Sequence, residues 1–366
     1  MPDVPSTMQA VILTGHGEPE MLEVKNDWLV PTPKADEVLI KVGAAGVNNT
    51  DINTRIGWYS KSVTADTDAA ASSAGDAAVD TSDSSWAGAT IQFPRIQGAD
   101  VCGTIVAVGQ SVSEERVGER VLCVAMQPQA ESREGLNCIT LGSEMDGGFA
   151  EYVCVKSDMA HHLISDAMSD AELASFPCAA STAENMLDRI DLKAGESVLI
   201  TGASGGVGSV AVQLAKMRGA TVTAIASADK HGFVKALGAD TVLPRDDVPE
   251  ALSYDVVVDL VVGPQWNDLI QSLKRGGRYI TAGAIAGPIT ELDVRTVYLR
   301  DLTLAGSTFQ PPHVFENLVQ VIESGRLKPV VSKIYPLSQI GEAQADFVSK
   351  KYPGKLVLVP DRLMAQ

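Results

Sequence analysis

The stretch VLITGASGGVGSVAVQLAK, residues 198–216, decides the fold of the second half of the chain. It opens with a short apolar run, passes through a glycine-rich segment and continues with apolar residues at helical spacing, which predicts a strand, a turn and a helix. Gly202, Gly205 and Gly208 give the turn the spacing GxxGxxG. The first glycine permits the tight turn, the middle pair lets the backbone approach a pyrophosphate, and the last lets the helix pack on the sheet.

The turn predicts a nucleotide site, because a helix start offers free N–H groups and a positive dipole end to an anion. The predicted cofactor-binding residues of the turn are Gly202, Ser204, Gly205, Gly206, Val207 and Gly208. Beyond the turn, strand-like runs such as YDVVVDLV alternate with helical segments, which predicts a parallel sheet with right-handed crossovers. We therefore expect an α/β fold whose residues 165–313 form a doubly wound parallel sheet of the Rossmann type.

The first 160 residues or so have a different pattern. Short runs rich in Val and Ile, separated by Gly, Pro and Asn, predict a β-rich and irregular barrel. Residues 61–90 interrupt it with five aspartates, one lysine and mostly Ala, Ser, Gly and Thr. This composition buries too little apolar surface to offset the entropy of ordering, so it predicts a mobile surface insertion. A lid over the site is the alternative, because Trp58 and Tyr59 precede the segment and Trp86 lies near its end.

The composition argues against several classes of protein. The formal net charge is −17 and the pI is about 4.7, so the surface repels nucleic-acid phosphate. No apolar run reaches the roughly 18–20 residues that cross a bilayer, and no export signal is visible. The five cysteines are odd in number, widely spaced and without a CxxC pair, which argues against a disulfide framework. We expect a cytoplasmic protein that binds neither nucleic acid nor membrane.

The strand after the glycine turn bears on the choice of cofactor. An NAD site usually ends this strand with an acid that binds the ribose hydroxyls, but here the sequence reads TAIASADK with Ser227 at that position. Lys230 follows within reach of a 2′-phosphate, and a hydroxyl with an ammonium suits a dianion. This pattern predicts NADP(H). Asp229 weakens the prediction, and an ordinary solvated role for Lys230 stays the alternative.

A family resemblance rests on five stretches in a fixed order: EVLIKVGAAGVNNTDINTRIGWY, FPRIQGADVCGTIVAVG, CAASTAENML, VLITGASGGVGSVAVQLAK and GKLVLV. In these the chain resembles the medium-chain dehydrogenase/reductase superfamily, and within it the zinc-independent quinone oxidoreductase branch. The resemblance implies a chaperonin-10-like catalytic domain of residues 1–164 and 314–366, with the site in the cleft beside the Rossmann domain. It also implies hydride transfer with NAD(P) and a homodimer or homotetramer.

The same resemblance implies roles for individual residues. Asn48 matches a position near the nicotinamide, Thr50 one that often carries a proton-relay hydroxyl, and Tyr59 a tyrosine that lines the substrate pocket. Each could instead be structural, since a loop asparagine often caps a turn and an aromatic pair often only packs. The further cofactor contacts that it implies are Thr182, Gly283, Ala284 and Lys355.

The chain departs from the zinc-dependent members of that superfamily at their metal ligands. Asn48 stands where they carry a cysteine, Ala99 where they carry a histidine, and only Cys178 matches a ligand. One thiolate cannot hold a catalytic zinc, which typically takes three protein ligands. The stretch of residues 125–142, which would carry the structural zinc, has only Cys138. We therefore expect no metal.

Loss of the metal favours acceptors that spread charge, so the predicted activity is NADPH-dependent reduction of a quinone or an α,β-unsaturated carbonyl. Two alternatives stay open. One is an enoyl-CoA reductase of the acryloyl or crotonyl type, which would want cations for the CoA phosphates. The other is a non-catalytic NADPH-binding redox sensor, which would keep the glycine turn but need no substrate pocket.

Overall fold

The computed structural model describes residues 4–72, 80–128 and 137–364. They belong to two compact units. Unit 1 comprises Met1–Val63, Ala70–Cys178 and Val319–Gln366, and unit 2 comprises Thr64–Ala69 and Ala179–Leu318. Within the described ranges, no helix is both long enough and apolar enough to cross a bilayer.

The strands of the described residues follow in chain order. They are β1 (Thr7–Leu13), β2 (Leu22–Leu29), β3 (Glu37–Gly46), β4 (Arg95–Ile96), β5 (Cys102–Val108), β6 (Arg120–Cys123), β7 (Met126–Pro128), β8 (Cys138–Thr140), β9 (Tyr152–Lys156), β10 (Ala160–His162), β11 (Ser197–Ile200), β12 (Thr221–Ile225), β13 (Thr241–Leu243), β14 (Tyr254–Asp259), β15 (Leu273–Thr281), β16 (Thr303–Gly306), β17 (Val331–Pro336) and β18 (Lys355–Val359).

The α-helices lie between these strands or follow them. They are α1 (Asn49–Ile56), α2 (Thr67–Ser72), α3 (Asp170–Leu173), α4 (Pro177–Arg189), α5 (Gly206–Met217), α6 (His231–Ala236), α7 (Trp266–Ser272), α8 (Val294–Leu299), α9 (Pro312–Glu323), α10 (Ile340–Val348) and α11 (Asp361–Met364).

Unit 1 is built on a mixed sheet in the order β10-β6-β5-β3-β18-β17, with β9 also pairing with β3. A second sheet has the order β2-β1-β4, and β7 pairs with β8. The core of unit 1 is hydrophobic, with mostly aliphatic side chains and a few aromatic ones, and includes Val38, Ile40, Ile105, Phe149 and Tyr335. β18 runs antiparallel to β3, so the start of β18 lies beside the residues that follow β3 and lead into α1. This pairing brings Lys355 next to the start of α1.

Unit 2 contains a parallel sheet in the order β13-β12-β11-β14-β15-β16. The order departs from β11 in both directions, which makes the carboxyl ends of β11 and β14 the switch point where such sheets bind ligands. Leu199 of β11 and Val257 of β14 belong to one buried hydrophobic cluster with Leu269 and Ile270 of α7. The sheet confirms the predicted doubly wound α/β fold.

The sequence predicts domain boundaries after residues 164 and 313, and the boundaries of the two compact units lie further along the chain. They fall at Cys178 and Leu318, inside α4 and α9. Because both helices continue through the boundary, no loop, proline pair or change of composition marks it in the sequence.

Most of residues 80–90 of the insertion are exposed, but Ser84 and Ser85 are buried, and the mobility of the segment stays a prediction. Ser84 and Ser85 are 0% and 1% exposed, and the Ser84 hydroxyl lies 3.0 Å from Nε2 of His16. The Trp86 and Ala87 backbone N–H groups donate to the side chains of residues 143 and 144. Small polar side chains made this packing invisible in the composition. Residues 73–79, on which the prediction also rested, lie outside the described residues.

Candidate active site

The catalytic candidates of unit 1 gather around the start of α1, which directly follows β3. Asn48 has an extended backbone and directly precedes the helix. The backbone N–H of Asn48 donates a 2.7 Å hydrogen bond to the Asp51 carboxylate. An acid here satisfies a donor that the helix start leaves free and complements the positive end of the helix. Gly57 ends the helix in a left-handed conformation, with φ of 71°. Thr50 is thereby fixed in the first turn.

A buried polar network holds this helix start. Lys355 Nζ donates to Asp100 Oδ2 at 2.8 Å, to Asn48 Oδ1 at 2.6 Å and to the Val47 carbonyl at 2.9 Å. Asn48 Nδ2 donates to the same Asp100 oxygen at 2.8 Å. The other Asp100 oxygen accepts the Cys178 backbone N–H at 2.5 Å. Lys355 is 4% exposed and Asp100 0%, so this ion pair is desolvated and saturated by hydrogen bonds.

This network changes the expected roles of two residues. Both ends of the Asn48 amide are engaged by Asp100 and Lys355, so its contacts are those of a residue that fixes the loop. Contact of Asn48 with an acceptor or nicotinamide stays a prediction. Lys355 uses its three N–H donors within unit 1, and its contact with a cofactor stays a prediction.

The side chains present do not fit a catalytic zinc. The Asn48 amide oxygen accepts from Lys355, and Ala99 carries no donor atom. Burial raises the pKa of Cys178, so its thiol stays protonated. Among the residues that the structure describes, no three or more His, Cys, Asp or Glu side chains are grouped to hold a metal ion. The stretch 125–142 lies partly outside the described ranges.

Tyr59 presents a protonated phenol beside α1. Its hydroxyl donates to Thr50 Oγ1 at 3.1 Å, and the Asn53 side chain is also hydrogen-bonded to it. Burial raises the pKa of the phenol well above its ordinary value, while the bonds to Thr50 and Asn53 act in the opposite direction. The ring is partly exposed and meets Trp58 and Trp86 edge-on, with centroids at 5.9 Å and 4.9 Å. The site therefore offers an aromatic surface with one O–H donor.

Asp51 is a titratable group that the sequence reading missed. Burial raises its pKa to about 7, against the opposing hydrogen bond from the Asn48 backbone and the charge of Lys355. Asp100 adds to the upward shift by charge repulsion. The only signal in the sequence was an acid three residues after a capping asparagine, which indicates a helix start and says nothing of burial.

The glycine turn of unit 2 has the geometry of an anion-binding helix start. Gly202 has φ of 58°, a conformation that favours glycine, and Gly205 is the exposed residue before α5. A Cβ on Gly205 would meet only the Gly202 carbonyl oxygen, at 3.4 Å, so the space above the helix start is open. A Cβ on Gly208 would lie 2.3 Å from that same oxygen. Gly208 thus permits the close approach of helix and strand, and the cradle fits a pyrophosphate.

A second buried acid fixes the switch point beside this turn. Asp259, 0% exposed, accepts hydrogen bonds from the hydroxyls of Thr201 at 2.6 Å and Tyr279 at 2.7 Å. It also accepts from the backbone N–H groups of Val261 and Val262, at 2.9 and 3.1 Å. Val262 has φ of 58°, a strained conformation for a β-branched residue that these bonds help to maintain. An aspartate that ends a buried parallel strand was the available signal.

The remaining cofactor candidates lie near this edge of the sheet of unit 2 or in α4. Gly283 is exposed in the loop after β15, and the Thr281 hydroxyl donates to its carbonyl at 2.9 Å. Ala284 is half-buried and belongs to the same loop, which bonds to the segment after β14 through the Ala286 N–H. Thr182 lies in α4 and is 9% exposed. Their contacts with a cofactor stay predictions.

The residues after β12 form a small charged cluster. The Ser227 hydroxyl is hydrogen-bonded to the Asp229 carboxylate, and this bond lowers the pKa of Asp229. The charges of Lys230 and Arg245 act in the same direction. Lys230 is 7% exposed, so it is a buried cation and does not fit the alternative of an ordinary solvated residue. Arg245 is an exposed cation that the sequence reading did not single out.

Comparisons with known proteins agree with these two units. The family model described as "Alcohol dehydrogenase GroES-like domain" matches residues 34–165, and that described as "Zinc-binding dehydrogenase" matches residues 206–324. An NADPH-dependent alkenal/one oxidoreductase of Arabidopsis thaliana is 30% identical over 98% of this chain and 81% of its own length. The chain belongs to the medium-chain dehydrogenase/reductase superfamily, in its quinone oxidoreductase-like branch.

Other members of this superfamily are similar over their full length. An acryloyl-coenzyme A reductase of Metallosphaera sedula and a quinone oxidoreductase of Mus musculus are each 27% identical over 96% of this chain, and over 99% and 98% of their own. A crystal structure described as that of a "putative alcohol dehydrogenase" from Sinorhizobium meliloti 1021 is 44% identical to this chain. The two align with a TM-score of 0.88 over 98% of each chain.

These matches confirm the predicted superfamily and its chaperonin-10-like and Rossmann domains, since the GroES-like domain is the chaperonin-10 fold. They also confirm that this member is an enzyme, an oxidoreductase with a nicotinamide cofactor. The alternative of a non-catalytic redox sensor is therefore set aside.

Proposed function

We propose that this enzyme transfers hydride from NADPH to an α,β-unsaturated carbonyl compound or a quinone without a metal ion. The observation that carries the proposal is the buried Lys355–Asp100 ion pair, because both ends of the amide of Asn48, at one implied metal-ligand position, bond to this pair. Without a metal, the charge that develops on a plain ketone oxygen lacks several kcal/mol of stabilisation. A conjugated acceptor spreads that charge and needs only hydrogen bonds. The alkenal/one and quinone reductases among the relatives support the same acceptor class.

NADPH, when bound, supplies the hydride, and unit 2 offers the residues to hold it. The open helix start at Gly205 and Gly206 would take the pyrophosphate. Lys230 and Arg245 bring positive charge to the end of β12, where the 2′-phosphate of NADP would lie. Asp229 opposes them, so we expect a preference for NADPH that is set by the balance of these three charges.

Tyr59 is the proposed proton donor to the acceptor oxygen. The phenol is protonated at neutral pH, and its single O–H, which donates to Thr50 Oγ1 in this structure, would turn to the acceptor oxygen when an acceptor binds. As the proton leaves, hydrogen bonds from Thr50 and Asn53 would stabilise the phenolate, because both lower the pKa of the phenol. The neighbouring indole of Trp86 gives a flat acceptor an apolar surface to lie on. Quinone products can also take their proton from solvent, so Tyr59 matters most for enones.

A second candidate is reduction of an enoyl-CoA ester, which the similarity to an acryloyl-coenzyme A reductase favours. A net charge of −17 opposes binding of the CoA phosphates. The two candidates differ in one measurable respect, because an enoyl-CoA reductase should discriminate strongly against the same enone without the CoA moiety.

We also propose a homo-oligomer that assembles through unit 2, in the cytoplasm. Within the described strands, β16 is the last in its sheet, so one side of its backbone can pair with another strand. Val294, Tyr298 and Leu299 in the preceding α8 are 62%, 61% and 58% exposed. An open edge beside apolar side chains suits self-association about a two-fold axis. Light scattering should show a dimer or tetramer, and Tyr298→Glu with Leu299→Glu should reduce its mass.

The deciding experiment is NADPH oxidation with matched acceptors: a simple enone, a quinone, crotonyl-CoA and a saturated ketone. We expect turnover with the enone and the quinone, little with the ketone, and no need for added zinc. In Tyr59→Phe, enone turnover should fall by about 10²-fold, as for a lost general acid, and quinone turnover by less. Activity confined to crotonyl-CoA would favour the second candidate. Activity that follows about one bound zinc per chain by elemental analysis would refute the metal-free mechanism.

A further inference from the structure

The Lys355 ammonium lies where three chain segments meet that are distant in sequence. Its three N–H donors have three acceptors, Val47 O, Asn48 Oδ1 and Asp100 Oδ2, at 2.9, 2.6 and 2.8 Å. A polar group of this kind is saturated only if it has as many acceptors as protons. The site is therefore a complete cation site, with one anionic and two neutral oxygen ligands.

The same segments correspond to the metal-ligand segments of zinc-dependent relatives. Asn48 stands at one ligand position, Asp100 directly follows a second, Ala99, and Cys178 stands at the third and donates its N–H to Asp100. We propose that the Lys355 ammonium, through its bonds to the Val47 carbonyl and the Asn48 amide, positions Asn48 and with it the start of α1. Lys355 is thus a positioning residue for the proposed reaction.

The pair is closely packed against the backbone at Gly46. A Cβ on Gly46 would lie 2.4 Å from Asp100 Oδ2 and 3.1 Å from the Lys355 Cε. Both charged groups are almost fully buried, so each needs the other, and a single neutral replacement strands a charge in the interior. Aliphatic residues would also fill the space, but they would not bind the Asn48 amide and the Val47 carbonyl.

The link from this pair to the reaction runs through α1. Asn48 precedes the helix, its backbone N–H bonds to Asp51, and Thr50 between them accepts the Tyr59 hydroxyl at 3.1 Å. If the ammonium is lost, the Asp100 carboxylate and the Asn48 carbonyl are left without their cation, and the helix start is free to shift. A misplacement of about 1 Å at reacting groups can cost 10²-fold in rate, so turnover should report such a shift.

Removal of the side chain leaves a cavity with oxygen ligands, and this offers a direct test. Lys355→Ala should lose turnover by about tenfold or more, mainly in kcat and with a smaller change in the KM for NADPH. Methylammonium, which restores the ammonium and the Cε carbon but not the Cγ and Cδ methylenes, should raise both the Tm and the turnover of Lys355→Ala. It should do neither for the parent enzyme nor for Lys333→Ala, which removes a half-buried lysine with two carboxylate partners. Tetramethylammonium, which has no N–H donor, should have no effect.

The Tm readout does not depend on activity, so failure of the proposed function, seen as a parent inactive on every acceptor, stays distinguishable from failure of this inference. If Lys355→Ala does not fold, Lys355→Met with Asp100→Asn removes both charges together and is tested by the same assays. This double variant should fold, because no charge is stranded, and should show reduced kcat. The inference is overturned if Lys355→Ala keeps parental Tm and kcat, if methylammonium leaves folded Lys355→Ala unchanged, or if the double variant has parental kcat.

Discussion

The indole ring of Trp86 meets the phenol ring of Tyr59 edge-on, with centroids 4.9 Å apart and planes at 73°. This contact joins the end of an insertion rich in Ala, Ser and Asp to the proposed proton donor. Edge-to-face aromatic pairs contribute about 0.5–1.5 kcal/mol beyond the area they bury. The insertion is therefore part of the site in the residues that the structure describes.

We predict that Trp86→Ala lowers both the free energy of unfolding and enone turnover, because Tyr59 loses a ring that fixes its position. The loss of stability should be about 1–3 kcal/mol, typical of a removed aromatic contact at a half-buried position. Trp86→Phe, which can keep an edge-on ring, is the matched control and should retain most of both. Denaturant unfolding and steady-state kinetics measure the two effects. Parental values for Trp86→Ala would return the insertion to the role of surface decoration.

The buried Asp51 predicts a pH dependence of stability. Its pKa of about 7 lies above the ordinary value of 3.8, so between these values the folded protein holds a proton that the unfolded chain has released. The free energy of unfolding should then fall as pH rises from about 4 to about 7, by at most about 1.4 kcal/mol per unit, and level off above. Asp51→Asn keeps an acceptor for the Asn48 N–H and should remove this slope.

Asp240, a carboxylate whose pKa is lowered rather than raised by folding, gives the control for that experiment. The hydrogen bond from Lys216 lowers the pKa of Asp240, so this group adds stability as pH rises through its folded pKa and loses it as pH falls. Asp240→Asn should therefore remove a rise of stability with pH, the reverse of the change in Asp51→Asn. Urea midpoints at several pH values measure both. Curves for Asp51→Asn that run parallel to those of the parent would contradict the assignment.

Cofactor preference should depend on Lys230. Lys230→Ala should weaken NADPH binding by roughly 1.5–3 kcal/mol, the value of a hydrogen bond to a charged group, and leave NADH nearly unchanged. Asp229→Asn should act in reverse, because it removes a negative charge beside the 2′-phosphate. Lys235→Ala changes an exposed lysine of α6, the helix that directly follows Lys230, and serves as the control. Calorimetric titration with both cofactors gives the constants, and equal affinity of the parent for NADPH and NADH would refute the preference.

The local features of this fold could be read from the sequence, and the distant pairings could not. The glycine turn follows from residues adjacent in the chain, because the spacing of Gly202, Gly205 and Gly208 encodes a strand, a turn and a helix. The Lys355–Asp100 pair joins residues 255 positions apart, and nothing near either residue indicates its partner. The burial of Ser84 was hidden for a related reason, since it depends on a contact with His16, 68 positions away. Residue type alone predicts neither the Lys355–Asp100 ion pair nor the burial of Ser84.

Gly205 and Gly208, the last two glycines of the GxxGxxG turn, allow cofactor binding to be separated from folding. A Cβ on Gly208 would lie 2.3 Å from the Gly202 carbonyl oxygen and 2.7 Å from the Ala203 Cα. Helix and strand would have to separate, so Gly208→Ala should lower the free energy of unfolding by about 1–3 kcal/mol, typical of overpacking. A Cβ on Gly205 meets only that same oxygen, at 3.4 Å, and Gly205 has an ordinary φ of −82°. Gly205→Ala should therefore fold as stably as the parent.

The new methyl group of Gly205→Ala would nevertheless stand in the open space at the helix start, where the pyrophosphate is proposed to bind. We expect this variant to bind NADPH at least about tenfold more weakly while its unfolding curve stays parental, because a methyl group blocks the close approach of phosphate to the backbone N–H groups. Gly195→Ala, in a loop of the same unit with no atoms within 4 Å of the added Cβ, controls for a general effect of glycine replacement on binding. Its φ of 84° should cost stability and leave NADPH binding unchanged. Parental NADPH affinity in Gly205→Ala would place the pyrophosphate elsewhere, and full stability in Gly208→Ala would mean that helix and strand can separate without cost.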